Sequence, residues 1–132
     1  MNDFAAALGI ANLGDFPSNL KRVREIAKFY REELQDVPGL QLLQHRSDRE
    51  SAYWLFTVLV ENRLAFIEKL KERKVPSSVV HLRIDHNSIF GGYTPNLPNQ
   101  EKFNEKQLSI PIHAALTDDD IQNIVKAVKS GW

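Results

Sequence analysis

Residues 52–60, AYWLFTVLV, constrain the fold more than any other segment, because they form an almost unbroken run of aromatic, aliphatic and β-branched side chains. Such residues favour extended backbone, and a run of this length fits a strand better than a helix. A continuous rather than alternating apolar run is typical of a strand whose two faces are both covered. We therefore predict a central strand with Trp54 in the core, whereas Tyr53 could point to either face.

Helical spacing of apolar side chains predicts four helices around this strand. The first covers residues 3–13, and the second begins at Pro17 and Ser18 and ends before a Pro-Gly turn. Asn62 is the predicted N-cap of the third helix. Thr117 is the predicted N-cap of the last helix. The acidic first turn of this helix complements the positive end of the helix dipole. Three further strands are predicted, over residues 40–43, 75–82 and 107–112.

Residues 83–106 form a long, polar segment. Two adjacent glycines, Pro95 and Pro98 interrupt it, so we predict a loop without any regular element. Long loops in compact domains are commonly functional. The order of elements is two helices, two strands, a helix, a strand, the loop, a strand and a helix. It predicts an α+β fold with a small mixed or antiparallel sheet covered by helices, in a single domain over residues 1–132.

The composition excludes several classes of function. The chain has 132 residues, with 17 basic and 17 acidic side chains and a formal net charge of zero. Binding to nucleic acids or anionic membranes requires a basic face, so we predict neither partner. The absence of cysteine excludes disulfides, thiolate nucleophiles and zinc–thiolate sites, and it favours a reducing cytoplasm. No apolar run approaches the roughly 20 residues of a membrane-spanning helix.

Polar side chains crowd the point where a predicted strand meets the long loop, a place where sites commonly lie. They are His81, Arg83, Asp85, His86 and Asn87. The histidine spacing matches no zinc pattern, and no glycine-flanked serine elbow accompanies it. We therefore predict neither a metal site nor a catalytic residue here.

Arg83 has two interpretations. A guanidinium at a strand end can bind the carboxylate or phosphate of a ligand through paired hydrogen bonds. Alternatively, it is a surface arginine paired with Asp85 or Glu105. The aromatic residues of the loop are likewise a packing anchor or a platform for a ring: Phe90, Tyr93 and Phe103. His113 is interpreted as structural.

Five segments, in order, resemble the small C-terminal domain of the DegT/DnrJ/EryC1/StrS family of sugar aminotransferases. They are MNDFAAALGIANL; KRVREIAKFYREEL with the following VPGLQL; SAYWLFTVLV; LAFIEKLKERKVPSSVVHL; and LSIPIHAALTDDDIQNIVKAV. Together they cover essentially the whole chain.

The resemblance implies a fold type I enzyme that uses pyridoxal phosphate (PLP) to transfer an amino group, typically from glutamate, to a keto sugar carried on a nucleotide. It implies a homodimer with active sites at the interface, and a small sheet covered by helices as in the small domain of such enzymes. The PLP lysine and its aspartate belong to the family's large domain, and no lysine here stands in the family's S-F-x-x-x-K setting. We therefore expect no cofactor in this chain, PLP in the full-length enzyme, and no catalysis without the large domain.

His81 matches the V-H position of the family, on the strand that lines the sugar-nucleotide pocket. The family commonly continues H-Y-x-P-x-H, whereas this chain continues HLRIDH. The departure suggests a branch in which Arg83 and Asn87 also face the substrate. The predicted substrate-binding residues are therefore His81, Arg83 and Asn87.

Three hypotheses remain open for the whole chain. It is a fragment of a sugar aminotransferase, with an apolar surface where the large domain would pack. Alternatively, it is a self-sufficient small-molecule-binding or regulatory module with a ferredoxin-like layout. A third hypothesis is a subunit that completes a large-domain chain in trans. The apolar helix over residues 3–13 fits either a domain entered in mid-fold or an ordinary N-terminal helix.

Overall fold

The structure of the chain is a computed structural model that describes residues 2–132. Within them lie five α-helices and a three-stranded sheet. The helices are α1 (Asp3–Leu13), α2 (Phe16–Leu34), α3 (Arg63–Glu72), α4 (Pro98–Lys106) and α5 (Asp118–Lys129). The strands are β1 (Leu40–Leu42), β2 (Phe56–Val60) and β3 (Gln107–Ile110). The predicted α+β class is confirmed.

The sheet is antiparallel, and β2 is its central strand in the order β1-β2-β3. Leu40 pairs with Val60 on one side of β2, and Phe56 pairs with Ile110 on the other. The central position predicted for the apolar run is therefore confirmed. Of the two sheet types predicted, mixed or antiparallel, the antiparallel one is present.

The beginning of β2 differs from the prediction. The predicted strand starts at residue 52, but Tyr53 has a φ of 47°, in the left-handed region that interrupts extended backbone. Its amide donates a hydrogen bond to Ser51 Oγ at 3.0 Å, which closes a local turn. Trp54 is 78% exposed, so its predicted place in the core is wrong. Side chains of β2 alternate between buried and half-buried, so its two faces are not covered equally, contrary to the prediction.

One hydrophobic core joins the sheet to α2, α3 and α5. Tyr30 of α2 lies fully buried within it, edge-to-face against Phe56 at 5.1 Å between ring centroids. Its hydroxyl donates to the carbonyl of Pro111 at 3.0 Å. Burial, and secondarily the negative charge of Asp120, raises the pKa of Tyr30 well above its usual value. The neutral phenol therefore fixes α2 to the segment that follows β3.

Two helices begin at the predicted N-caps. Thr117 Oγ1 accepts a hydrogen bond from the amide of Asp120 at 3.1 Å, and the Asp120 carboxylate accepts one from the amide of Thr117 at 3.0 Å. This reciprocal capping box satisfies donors that the first turn of α5 would otherwise leave unpaired. At α3, Asn62 Oδ1 accepts from the amide of Ala65 at 3.4 Å. Both predicted caps are confirmed.

The strand predicted over residues 75–82 is wrong. This segment makes a single antiparallel bridge, in which Ser78 and Ser109 exchange backbone hydrogen bonds of 3.1 and 2.9 Å. Pro76 has no N–H to donate to a ladder, which disfavours a longer pairing. The bridge still places the residues that follow it beside β3.

The loop predicted over residues 83–106 is only partly irregular. It contains two short 3₁₀ turns, Ile84–His86 and Ser88–Phe90, and all of α4. Pro98 occupies the first turn of α4, where the missing N–H would have no partner within the helix in any case. The prediction that prolines forbid a regular element here is therefore wrong.

The helix predicted over residues 3–13 is confirmed as α1, with Asn2 Oδ1 accepting from the amide of Ala5 at 2.9 Å. Helices that are apolar on all sides normally lie inside a protein. No residue of α1 is buried, however, and its large apolar side chains are exposed: Phe4, Leu8, Ile10 and Leu13. Within residues 2–132, no helix has the length and apolar character that crossing a membrane requires.

Candidate functional site

The three predicted substrate-binding residues follow the bridge between Ser78 and Ser109 and precede α4. His81 and Asn87 are exposed, whereas Arg83 is buried, with 3% of its surface accessible. The backbone carbonyl of His81 accepts a hydrogen bond of 3.0 Å from Nε2 of Gln107, a fully buried residue at the start of β3. The sheet therefore holds the backbone at His81, while two of the three side chains face solvent.

Arg83 binds groups of its own chain. Its Nε donates to Asp85 Oδ1 at 2.8 Å, and its Nη2 donates both to Asp85 Oδ2 and to the carbonyl of Thr94, the latter at 3.1 Å. The amide of Thr94 donates to Asp85 Oδ2 at 2.9 Å. The pairing with Asp85 that the sequence suggested as an alternative is thus present, in a buried rather than a surface position. A charge is stable in such a position only when it is paired and hydrogen-bonded.

Two more side chains complete this group. The guanidinium of Arg83 lies 4.8 Å from the ring centroid of Tyr93, and its Nη1 lies 3.8 Å from Glu101 of α4. The Tyr93 hydroxyl donates to the same Glu101 carboxylate. We call the five residues the Arg83 cluster: Arg83, Asp85, Tyr93, Thr94 and Glu101. The cluster connects the first 3₁₀ turn, the residues before α4 and α4 itself.

The hydrogen bonds of the Arg83 cluster shift the ionisation of its members. Those from Arg83, and next that from the amide of Thr94, hold the pKa of the Asp85 carboxyl well below its usual range. Reciprocally, the hydrogen bond to Asp85 raises the pKa of Arg83. The hydrogen bond to Glu101 raises the pKa of Tyr93. Near neutral pH the cluster therefore contains a charged Arg83–Asp85 pair beside a neutral phenol.

His81 has an aromatic neighbour that sequence analysis missed. The ring centroid of Trp54 lies 6.2 Å from that of His81, with an angle of 68° between the planes. The propensity of tryptophan for strands favoured a core position, and no sequence signal marks the left-handed residue before it. Asn87 lies at the end of the first 3₁₀ turn, where its Nδ2 donates to the carbonyl of Ile84 at 3.3 Å.

Glu101 was also missed, because the sequence suggested Glu105 as the second acidic partner. The two glutamates are one helical turn apart, so only the path of the chain before α4 decides which of them reaches Arg83.

Large apolar side chains are exposed on the same segment, as they are on α1. They are Leu82, Ile84, Ile89, Phe90 and Leu97, all exposed. Large apolar side chains that stay exposed together commonly mark an interaction site. Within residues 2–132, no group of three or more histidine, aspartate or glutamate side chains comes together as metal ligands would.

Comparison with known proteins identifies relatives of this chain. A family model described as the DegT/DnrJ/EryC1/StrS aminotransferase family matches residues 1–129. MJ1066, an uncharacterized protein of Methanocaldococcus jannaschii, is 34% identical over 98% of this chain and 36% of its own length. The dTDP-4-dehydro-2,3,6-trideoxy-D-glucose 4-aminotransferase of Saccharopolyspora spinosa is 29% identical over 93% of this chain and 32% of its own length.

Among solved structures, the sugar aminotransferase CalS13 from Micromonospora echinospora matches with a TM-score of 0.96 at 33% identity. The match covers 100% of this chain and 36% of CalS13. The chain thus spans about a third of the length of each protein that it matches here.

Proposed function

The chain belongs to the DegT/DnrJ/EryC1/StrS aminotransferase family, and from this premise we propose that residues 1–132 form a single domain that works as the C-terminal third of a sugar aminotransferase. In this proposal the domain supplies part of the sugar-nucleotide site and contacts a large PLP-binding domain. It does not catalyse the reaction alone. The large domain is carried on the same polypeptide or on another.

The cofactor chemistry of such an enzyme is amino-group transfer through PLP, which requires a lysine to form the imine and an aspartate beneath the pyridine nitrogen. Every lysine among residues 2–132 is exposed or half-buried. The charged residue that is buried in this part of the chain is Arg83, whose guanidinium is bonded to Asp85. These residues do not fit the cofactor, so no chemical step is assigned to this chain.

The uncovered apolar surface of α1 is the observation that carries the proposal. Phe4 and Ile10 are 80% and 71% exposed, and Ile89 on the segment after His81 is 85% exposed. Leaving large apolar side chains in water costs about 25 cal/mol per Å² relative to burial. A domain that functions next to another would bury this surface, as the fragment hypothesis expects.

The accessible candidates for substrate contact are His81 and Asn87. Arg83 has a different part in the proposal, because its guanidinium is engaged inside the protein: it positions the segment that carries Asn87. The Saccharopolyspora relative is named for a dTDP-linked sugar, and we propose a nucleotide sugar as the substrate here as well. Homodimer formation and a cytoplasmic location belong to the same proposal.

The test is an amino-transfer assay with the complete enzyme that contains this chain, supplied with PLP, glutamate and a dTDP- or UDP-linked 4-keto sugar. We expect turnover by the complete enzyme and a raised KM after His81→Ala. An inactive complete enzyme, or turnover by this chain alone, would contradict the proposal. As a control, Glu68→Ala changes an exposed residue of α3 and should leave KM unchanged.

A further inference from the structure

The indole of Trp54 is turned outwards by the residue before it. Tyr53 has a left-handed backbone, and its ring stacks against Phe56 of the core with 6.2 Å between centroids. A non-glycine residue adopts this backbone only where its surroundings impose it, and such residues cluster at functional sites. With Tyr53 directed inwards, Trp54 projects into solvent at the entrance to β2.

The position of Trp54 is defined on its other side as well. Its neighbour His81 is the residue whose carbonyl is bonded to the buried Gln107. The two exposed rings are therefore carried by backbone that is fixed locally, one by the turn at Tyr53 and one by the sheet. Rings on a fixed framework can bind a ligand without losing much conformational freedom.

The other tryptophan shows what a structural role looks like in this chain. Trp132 packs edge-to-face on Phe66 at 4.5 Å between centroids, and its Nε1 donates to the carbonyl of Glu61. Trp54 has no such burial, since 78% of it is accessible. A large flat ring beside an imidazole N–H combines a stacking surface with a hydrogen-bond donor for an anion.

We propose that Trp54 is the stacking platform for the nucleobase of the nucleotide sugar, with His81 beside it towards the phosphates. This inference rests on the proposed function and adds to it a residue for the base. Aromatic side chains stack on any base, because every base has a π-face. The platform therefore contributes affinity for the nucleotide, and other contacts select the base.

Tryptophan fluorescence of the complete enzyme tests this proposal, because the two tryptophans of this chain can be replaced one at a time. Trp132→Phe removes the packed tryptophan of this chain and keeps Trp54, and Trp54→Phe does the reverse. Each variant is titrated with UDP and dTDP, and with glucose 1-phosphate and pyrophosphate as probes without a base. We expect saturable quenching by the two nucleotides in Trp132→Phe, little change in Trp54→Phe, and little change with the baseless probes.

Calorimetry on the complete wild-type enzyme and on its Trp54→Ala variant provides the second readout, with circular dichroism to verify that each is folded. We expect Trp54→Ala to weaken nucleotide binding on the order of tenfold, which corresponds to about 1.4 kcal/mol. Nucleotide binding that is equally tight in Trp54→Ala would overturn the platform and leave the proposed function standing. Equal quenching by glucose 1-phosphate would overturn the assignment to the base.

The remaining outcomes separate the two proposals. No binding of either nucleotide to the complete enzyme at millimolar concentrations would overturn the stacking proposal. If nucleotides quench Trp54 but the complete enzyme is inactive, the proposed aminotransferase function is overturned. The proposal that Trp54 belongs to a nucleotide-binding site then still holds.

Discussion

The carboxylate of Asp85 accepts hydrogen bonds from the guanidinium of Arg83 on both of its oxygens, with 2.8 Å between Nε and Oδ1. The side chains of the two residues are 2% and 13% exposed, although they are only two positions apart in a segment between regular elements. Paired Arg–carboxylate bonds of this kind fix orientation as well as charge. The pair therefore determines the shape of the segment that follows His81.

Replacing Asp85 tests whether its pair with Arg83 holds the segment after His81 in place. Asp85→Asn keeps the shape of the side chain but removes the charge opposite a buried guanidinium, which is strongly unfavourable. We expect the Tm measured by circular dichroism to fall by several degrees. Asp48→Asn is the matched control, because Asp48 pairs with Arg49 on the surface and exposed pairs contribute little. Equal Tm values for the two variants would contradict the structural role of Asp85.

The lowered pKa of Asp85 makes a prediction about acid stability. A carboxyl with a lower pKa in the folded than in the unfolded protein stabilises the fold above its unfolded pKa, about 3.9 for aspartate. That contribution is lost as the pH falls through this value towards the folded pKa. We expect the Tm of the wild type to fall more steeply than that of Asp85→Asn between about pH 4 and about pH 2. If the Tm falls equally with pH in both proteins, the pair between Arg83 and Asp85 is not formed in solution.

Tyr30→Phe removes one hydroxyl from the core. The carbonyl of Pro111 then loses its donor, while the ring contact with Phe56 is retained. We expect the free energy of unfolding to fall by about 1 kcal/mol, the usual net effect of a buried hydrogen bond. Urea denaturation measures this change. An unchanged midpoint would mean that water replaces the donor at Pro111.

The N-cap of α5 is tested by a pair of substitutions at one position. Thr117→Ala removes the oxygen that accepts from the amide of Asp120. We expect a loss of about 1 kcal/mol in the free energy of unfolding. Thr117→Ser retains the oxygen and should restore most of that loss, whereas a serine variant as unstable as alanine would exclude the cap as the cause.

The uncovered apolar surface predicts self-association of the chain in isolation. We expect light scattering to show oligomers or aggregates for the wild type, and the double change Leu8→Glu and Ile10→Glu to reduce them. No residue of α1 is buried, so these changes should not lower the Tm. Leu64→Glu on α3, where Leu64 is 73% exposed, is the matched control and should still self-associate. A wild type that is a clean monomer would contradict the interpretation of this surface.

Local signals decide which parts of the fold could be predicted from the sequence. Thr117 and the acidic residues after it form a complete N-terminal signal, and α5 begins where they predict. The strand propensities of residues 52–60 predict one continuous strand. Propensity does not reveal that the backbone turns at Tyr53, where the strand is interrupted. Pro98 starts a helix and does not interrupt one, because the effect of a proline depends on the position in the helix that it occupies.

The candidate site was predictable only as a region. His81, Arg83 and Asn87 lie on one segment, as the motif suggested, and their roles as substrate ligands stay predictions. Arg83 turned out to be engaged by Asp85, Thr94 and Glu101, and contacts with the last two depend on how the chain returns after the 3₁₀ turns. Sequence spacing carries no information about such a return, because it is set by tertiary packing.

The hydrogen bond from the amide of Thr94 to Asp85 closes the residues between them into a ring whose two ends are fixed. Its tip, which includes Ile89, Phe90 and the two glycines, has no buried residue. Insertions and substitutions at this tip should therefore be tolerated by the sheet and by α4.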